Sequence, residues 1–160
     1  MKELDETDHR LLALLQKDDR LSLADLGKHI GLSASSVNER IKRLGARGVI
    51  EGFHAHVYPE ALGLELLAFV FVGWSDPSAE APFLARVAAS PAVLECHHVT
   101  GTWNYLMKVR LANTRELERF LAEVVKPALG VQRTETIIVL SSTKETTTLM
   151  ADPLGVSGGP

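Results

Sequence analysis

The sequence predicts an α+β protein made of two small domains. Three short helical patterns occupy the first third of the 160 residues, and the remainder follows the order strand, helix, strand, strand, helix, strand. Hydrophobic residues make up 46% of the chain and charged residues 23%, which is typical of a globular protein and excludes a disordered chain or a disulfide scaffold. We therefore expect two separate cores.

The three N-terminal helices are predicted from leucines and other apolar residues spaced three or four apart. Each helix follows a residue whose side chain can accept a hydrogen bond from the first turn: Asp5, Ser22 and Ser33. Gly31 ends the second helix, because glycine tolerates the left-handed conformation. Three short helices with a glycine turn before the third describe a helix-turn-helix.

The third helix buries Val37, Ile41 and Leu44 in this pattern, which leaves its opposite face free. Residues 20–47 contain six basic and two acidic side chains, a local charge of +4 in a chain whose net charge is −3. This segment favours double-stranded DNA as partner, with the third helix in a major groove. An ordinary solvated helix face is the alternative.

The residues expected to face DNA are polar and lie on or beside the free side of this helix. They are Ser33, Ser35, Ser36, Asn38, Glu39, Arg40, Lys42, Arg43 and Arg47. By their chemistry, Lys42, Arg43 and Arg47 suit phosphates, whereas Ser35, Ser36, Asn38 and Arg40 suit base edges. Glu39 can accept a hydrogen bond from cytosine or repel phosphate.

Residues 49–58 alternate apolar and polar side chains, which predicts a short strand or wing followed by a linker near Pro59. His54 and His56 share one face of that strand. A metal pair there would need two further ligands, which are not evident, so no metal site is predicted. The expected domains are residues 1–60, with a linker at about 51–64, residues 65–149, and a flexible tail at 150–160.

The second domain has strand patterns at residues 66–74, 93–99, 103–111 and 134–140, and helical patterns at 80–89 and 113–125. Asn113 is the expected N-cap of the second helix. The third strand alternates so that one face carries Trp103, Tyr105, Met107, Val109 and Leu111. This order predicts a ferredoxin-like sheet with both helices on one face.

Residues 66–74 are apolar on both sides, although one face of the predicted sheet has no helix to cover it. We expect the open face to pack on a second copy of the chain, giving a two-fold dimer. A dimer would also present two recognition helices to a palindromic site. The alternative is that the N-terminal domain or a long connection covers the sheet.

Cys96 is the only cysteine, so an internal disulfide is excluded and a reducing compartment is expected.

The acidic N-terminus lacks the pattern of an export signal. The longest apolar stretch, residues 61–74, is too short to cross a bilayer. A cytoplasmic protein without a membrane partner is therefore expected. Along a strand, Cys96 and His98 point away from His97, so an interior or interface role is favoured over a metal site or thiol switch.

Three segments carry a resemblance to a known family: residues 4–53, VLECHHVTGTWNYLMKV at 93–109, and VQRTETIIVL at 131–140. They resemble the leucine-responsive regulator/AsnC family of feast/famine transcription regulators over residues 4–149. The resemblance implies a winged helix-turn-helix joined to a ferredoxin-like RAM domain that senses amino acids. It also implies dimers that associate into a higher oligomer, typically an octamer, and no cofactor other than the amino-acid effector.

In that family the effector binds at contacts between dimers, near the turn between the second and third strands and near the last strand. By position, the resemblance points to Val99, Gly101, Thr102, Trp103, Asn104, Tyr105, Thr134, Glu135 and Thr136. Gly101 is also expected to need a positive φ. Trp103 and Tyr105 suit interface packing equally well.

The turn departs from the Gly-Asp-Tyr-Asp pattern of many members. It reads Gly-Thr-Trp-Asn at residues 101–104, so both carboxylates that would accept from an ammonium are missing. Three alternatives follow: the backbone and Glu135 hold the effector, the effector has different chemistry, or the turn binds none. The last would make the protein an architectural, nucleoid-type DNA binder.

An enzyme is the remaining alternative, because sirohaem decarboxylases resemble this family. The sequence shows no glycine-rich phosphate loop, nucleophile elbow, zinc spacing or paired carboxylates at catalytic spacing. A transcription regulator, not an enzyme, is therefore the predicted function.

Overall fold

A computed structural model describes residues 3–126 and 130–151 of the chain. These residues form two units: residues 3–55 with 145–151, and residues 56–126 with 130–144. The predicted second domain extended to residue 149, whereas the structure returns the chain to the first unit from residue 145. Residues 152–160 of the predicted tail lie outside the described residues.

The first unit contains α1 (Glu6–Lys17), α2 (Leu23–Ile30) and α3 (Ala34–Ala46). Its core is made by buried side chains from all three helices: Leu11, Leu15, Leu26, Val37 and Leu44. The predicted N-caps are confirmed, since Asp5, Ser22 and Ser33 each accept from a backbone N–H three residues on. Gly31 has φ 71°, as its position in the turn requires.

The C-terminal segment of this unit lies against α1. The Gln16 side chain exchanges two hydrogen bonds with the backbone of Leu149, at 3.2 and 2.7 Å. His9 Nδ1 donates to the Ala151 carbonyl at 2.6 Å. These contacts explain why residues 145–151 group with the helices.

The prediction of a strand over residues 49–58 is wrong. None of these residues belongs to a strand, and no described segment pairs with them. Phe53, an apolar position of the expected alternation, is 51% exposed. An alternating pattern forms a strand only where a second strand pairs with it, and no segment in the described part of the chain pairs with this one.

The second unit contains β1 (Leu66–Gly73), α4 (Glu80–Ala89), β2 (Val93–His98), β3 (Tyr105–Leu111), α5 (Thr114–Phe120) and β4 (Arg133–Ile138). Short 3₁₀ helices at Pro59–Leu62 and Pro77–Ala79 precede β1 and α4, and α5 continues as a π-helical turn at Leu121–Val125. Asn113 caps α5 as predicted. The sheet order is β2-β3-β1-β4 with antiparallel neighbours, which confirms the ferredoxin-like prediction.

One face of the sheet packs on both helices. Its buried side chains include Val70 of β1, Met107 of β3, Phe83 of α4 and Phe120 of α5. Along β1 the alternate side chains, Phe69 and Phe71, are only half-buried on the other face. Ile137 lies opposite Phe69 in the ladder and is 48% exposed. We call this side the open face.

The prediction that Trp103 lies on the same face of the third strand as Tyr105 is wrong. The third strand begins at Tyr105, so the alternation does not extend to residue 103. The Trp103 ring instead lies 5.9 Å from the Phe71 ring, whose position on β1 alternates with the buried valines. The turn before β3 therefore places Trp103 with the open face.

Candidate DNA-binding and effector sites

The N-terminus of α3 carries a cluster of exposed hydroxyl groups. Ser33 Oγ lies 3.0 Å from Ser35 Oγ and 2.9 Å from Ser36 Oγ, and it accepts from the Ser36 backbone N–H at 3.3 Å. All three serines are exposed. The cap that starts the helix thus also presents hydroxyl groups, which can bind phosphates or base edges.

Arg40 connects α3 to α1. Its Nη1 donates to Asp5 Oδ2 and to Asp8 Oδ1, both at 2.7 Å, while Arg43 Nη2 donates to Asp8 Oδ1 at 3.1 Å. Asp8 is 1% exposed. The hydrogen bond from Arg40 lowers the pKa of Asp5, and the bonds to Asp5 and Asp8 raise the pKa of Arg40. This ion-pair cluster fixes the orientation of α3 on α1.

The cluster changes the expected role of one of these two arginines. Arg40 was predicted to reach base edges, but this guanidinium is held by two carboxylates and only 22% of the side chain is exposed. Arg43 remains 51% exposed. Sequence reasoning missed the buried position of Asp8, although it precedes Leu11 and Leu15 at helical spacing and so lies on the apolar side of α1.

The other predicted DNA-binding residues lie along the same helix. Lys42 pairs with Glu39 at 3.2 Å, and both side chains are largely exposed. Asn38 and Arg47 are half-buried on the flanks. A shallow depression of about 480 Å³ is lined by Ser35, Ser36, Glu39, Arg40 and Arg43. The structure therefore brings five of the predicted residues together around one concave surface.

In the second unit, the turn between β2 and β3 is anchored to β1 by Asn104. The Asn104 backbone N–H donates to the Val72 carbonyl at 2.9 Å, and Asn104 Oδ1 accepts from the Trp74 backbone N–H at 2.9 Å. Val99 N donates to the Asn104 carbonyl at 3.0 Å. The predicted positive φ of Gly101 is confirmed at 102°. The side-chain oxygen of Asn104 thus holds the turn.

The predicted effector residues separate onto two sides of the sheet. Glu135 pairs with Phe71 across the ladder, on the open face near Trp103. Thr134 and Thr136 pair with the buried Val72 and Val70, on the helix side. Pairing across an antiparallel ladder places opposite residues on the same face, so Glu135 cannot join the threonines at one site within the subunit.

Arg133, which sequence reasoning missed, joins the turn to β4. It donates to the Thr102 carbonyl, and its guanidinium carbon lies 4.8 Å from the centre of the Trp103 ring. A cation over an indole ring is attractive. Thr102 and Trp103 are therefore held by β4 on the open-face side of the turn.

A cavity of about 140 Å³ lies on the other side of the turn. It is lined by Trp74, Ser75, Pro77, Glu80, His98, Asn104 and Tyr105. Tyr105 Oη donates to Glu80 Oε1 at 2.6 Å, and this bond raises the pKa of Tyr105 to about 12. Glu80 was missed, because an acid in the first turn of a helix is common in this chain and also occurs in α1, α2 and α5.

The histidines and the cysteine form no metal site in the described part of the chain, where no three potential ligands come together. Burial raises the pKa of the Cys96 thiol, which disfavours the reactive thiolate. As predicted, Cys96 and His98 lie on one face of β2, opposite Met107 and Tyr105 in the ladder, and His97 lies on the other, opposite Leu106. No helix among the described residues is long and apolar enough to cross a membrane.

Each of the two units matches a family model of known proteins. A family model described as winged helix-turn-helix DNA-binding matches residues 4–51, and one described as Lrp/AsnC ligand binding domain matches residues 67–149. The HTH-type transcriptional regulator FL11 of Pyrococcus abyssi is 40% identical over 150 residues, covering 91% of this chain and 95% of the relative.

Two solved structures have the same fold with bound methionine. The transcriptional regulator NMB0573 of Neisseria meningitidis, in complex with L-Met, has a TM-score of 0.86 and 32% identity, covering 92% of this chain and 96% of that one. The feast or famine regulatory protein Rv3291c of M. tuberculosis, complexed with L-methionine, has a TM-score of 0.84 and 35% identity, with coverages of 92% and 99%. The chain belongs to the Lrp/AsnC family of transcriptional regulators.

Proposed function

We propose that this protein is a sequence-specific DNA-binding transcriptional regulator whose activity a small effector modulates. The observation that carries the proposal is α3, a helix capped by Ser33 whose outer face presents hydroxyl and basic groups and whose inner face is fixed on α1 by Asp8. A regulator, not an enzyme, is supported by the relatives, which are named as transcriptional regulators.

In the proposed complex, Lys42, Arg43 and Arg47 contact phosphates, while Ser33, Ser35, Ser36 and Asn38 lie closest to the bases. For Glu39 both roles stay open: its carboxylate either accepts a hydrogen bond from cytosine or repels phosphate. Arg40 acts mainly by positioning α3, since Asp5 and Asp8 both accept from its Nη1 and only 22% of the side chain is exposed. The domain limits drawn from the sequence, residues 1–60 and 65–149, and a cytoplasmic location belong to the same proposal; residues 145–149 are the part of the second span that groups with the first unit.

A gel-shift assay on the DNA upstream of the protein's own gene tests this proposal. We expect a shift at low salt whose affinity falls steeply as salt rises, because bound phosphates release counterions. Absence of any shift at low salt would refute it. The Asn38→Ala variant should relax the choice of site with a smaller loss of non-specific binding.

We further propose that the open face forms a two-fold dimer, and that dimers assemble into a higher oligomer such as an octamer. Phe69, Phe71 and Ile137 supply half-exposed apolar area there. Light scattering coupled to gel filtration measures the oligomeric state. Phe71→Glu places a charge on the open face and should shift the protein toward monomers. An unchanged mass for that folded variant would contradict the dimer.

Two related structures contain bound methionine, so an amino acid is the proposed effector class. The second candidate function is an architectural DNA binder without an effector. It is favoured by the neutral turn, in which the Asn104 side-chain oxygen is already bonded to the Trp74 N–H. Calorimetric titration with the twenty amino acids separates the two, because the architectural protein would give no saturable heat.

A further inference from the structure

The segment formed by residues 145–151 follows the second unit in the chain but is held on α1 of the first. Leu149 donates its backbone N–H to Gln16 Oε1 at 2.7 Å, and its carbonyl accepts from Gln16 Nε2 at 3.2 Å. The Ala151 carbonyl accepts from His9 Nδ1 at 2.6 Å, so this ring nitrogen carries the proton. All three bonds join side chains of α1 to the backbone of the segment.

The contact uses the side of α1 that faces away from its core. His9 and Gln16 are seven residues apart, about two helical turns, and therefore lie on one face of the helix. Asp8 lies on the other side, where it is buried and accepts from Arg40 and Arg43 of α3. One helix thus holds the C-terminal segment and also fixes the recognition helix.

Little apolar burial accompanies these bonds. The Leu149 side chain is 75% exposed and that of Met150 is 86% exposed, and residues 140–150 are exposed throughout. A hydrogen bond that faces water contributes little, because water competes for the same groups. Segments with few buried contacts open locally while the rest of the domain stays folded. Residues 145–151 can therefore leave α1 without unfolding either unit.

We propose that residues 145–151 form a releasable strap, which Gln16 and His9 dock on α1. The chain passes between the two units at residues 55–56 and again at residues 144–145. While the strap is docked, the end of the second unit is therefore tied to the helix that positions α3. When the strap is released, only the connection at residues 55–56 still constrains the first unit.

A second part of the inference rests on the proposed DNA-binding function. Because α1 carries both the strap and Asp8, which holds Arg40 and Arg43, docking of the strap and binding of DNA by α3 should favour each other. Such coupling is reciprocal, so that DNA must stabilise the docked strap by the same factor by which the strap strengthens DNA binding.

Hydrogen exchange of the full-length protein, followed by mass spectrometry, measures docking directly. Gln16→Ala should speed exchange at the Leu149 amide roughly five- to tenfold, because it removes the acceptor of that N–H. Lys17→Ala is the matched control, since Lys17 is the next exposed residue of α1, and exchange at residue 149 should stay at the wild-type rate. Equal exchange in wild type and Gln16→Ala would overturn the strap.

A double-mutant cycle separates the strap from an effect of Gln16 on its own helix. Leu149→Pro removes the N–H that Gln16 accepts from, at a position whose side chain is largely exposed. In thermal unfolding, Gln16→Ala should lower the Tm of the first unit in the wild-type background but not in the Leu149→Pro background. Additive effects of the two substitutions would contradict a shared contact.

Addition of the upstream DNA to the same exchange experiment tests the coupling. At a saturating concentration of DNA, exchange at Leu149 should become slower in the wild-type protein. Unchanged exchange in a protein that has bound DNA would overturn the coupling. A wild-type protein that shifts no DNA at low salt would instead refute the regulator proposal, and the exchange of Gln16→Ala would still decide whether the strap exists.

Discussion

Replacing Gly27 by alanine tests whether the turn of the helix-turn-helix depends on close backbone contact. Gly27 lies in α2, and a Cβ added there would overlap the carbonyl oxygen of Leu32. Leu32 N also donates to the Gly27 carbonyl at 2.9 Å. Because the obstructing atom is backbone, relief requires movement of the turn that leads into α3.

The expected magnitude follows from two opposing effects. Overpacking of this kind costs about 1–3 kcal/mol, while replacing glycine by alanine within a helix returns up to about 1 kcal/mol. Subtracting about 1 kcal/mol from this range leaves a net loss of about 0–2 kcal/mol, and because the obstructing atom is backbone we expect Gly27→Ala to lie in its upper half. Gly45 of α3 is the matched control, since an added Cβ there meets nothing within 4 Å. Gly45→Ala should stabilise the protein by about 0.5–1 kcal/mol.

Thermal and urea unfolding followed by helical circular dichroism measure both variants. A change of 1 kcal/mol shifts Tm by about 4–8 °C in a domain of this size, so the two substitutions should move the helix-turn-helix transition in opposite directions. A Gly27→Ala protein at least as stable as wild type would refute the argument from backbone contact. A destabilised Gly45→Ala would show that the propensity gain was misjudged.

Three further predictions concern charge. Lys42→Ala should reduce the slope of log affinity against log salt by about 0.9, with Lys144→Ala as control in the other unit, and an unchanged slope would remove Lys42 from the phosphate contacts. Asp8→Asn should lower the free energy of unfolding by about 2–4 kcal/mol in urea titrations, because it leaves two arginines beside a neutral buried group. The lowered pKa of Asp5 means that its stabilising contribution is present above its ordinary value of 3.8 and is lost as pH falls through the lower folded value. Asp5→Asn should flatten that part of a pH–stability curve, and identical curves would contradict it.

Helix starts could be predicted from the sequence because a cap is a local interaction. At Asp5, Ser22, Ser33 and Asn113 the acceptor and the N–H are at most three residues apart, so their spacing in the chain already determines the contact. The order of strands and helices along the second unit followed from periodicity for the same reason. Both predictions depend on neighbours in sequence.

The site was less predictable because its contacts join distant residues. Arg40 and Asp8 are 32 positions apart, and Glu80 meets Tyr105 across 25. Periodicity also does not show where a strand begins, and a start at Tyr105 instead of residue 103 places Trp103 on the other side of the sheet. The prediction of a strand over residues 49–58 was wrong because a strand needs a second strand to pair with, and an alternating pattern does not show whether one is present.

The positive charge that α3 offers to DNA is smaller than its sequence suggests, but it is better positioned. Asp5 and Asp8 lie outside residues 20–47, and counting them lowers the local excess from four to two. Both bonds from Arg43 to Asp8 use Nη2, and half of this side chain is exposed. A guanidinium has five N–H donors, so Arg43 keeps donors that Asp8 does not use. If Arg43 contacts phosphate as proposed, Asp8 orders its side chain beforehand, and less side-chain entropy is lost when that complex forms.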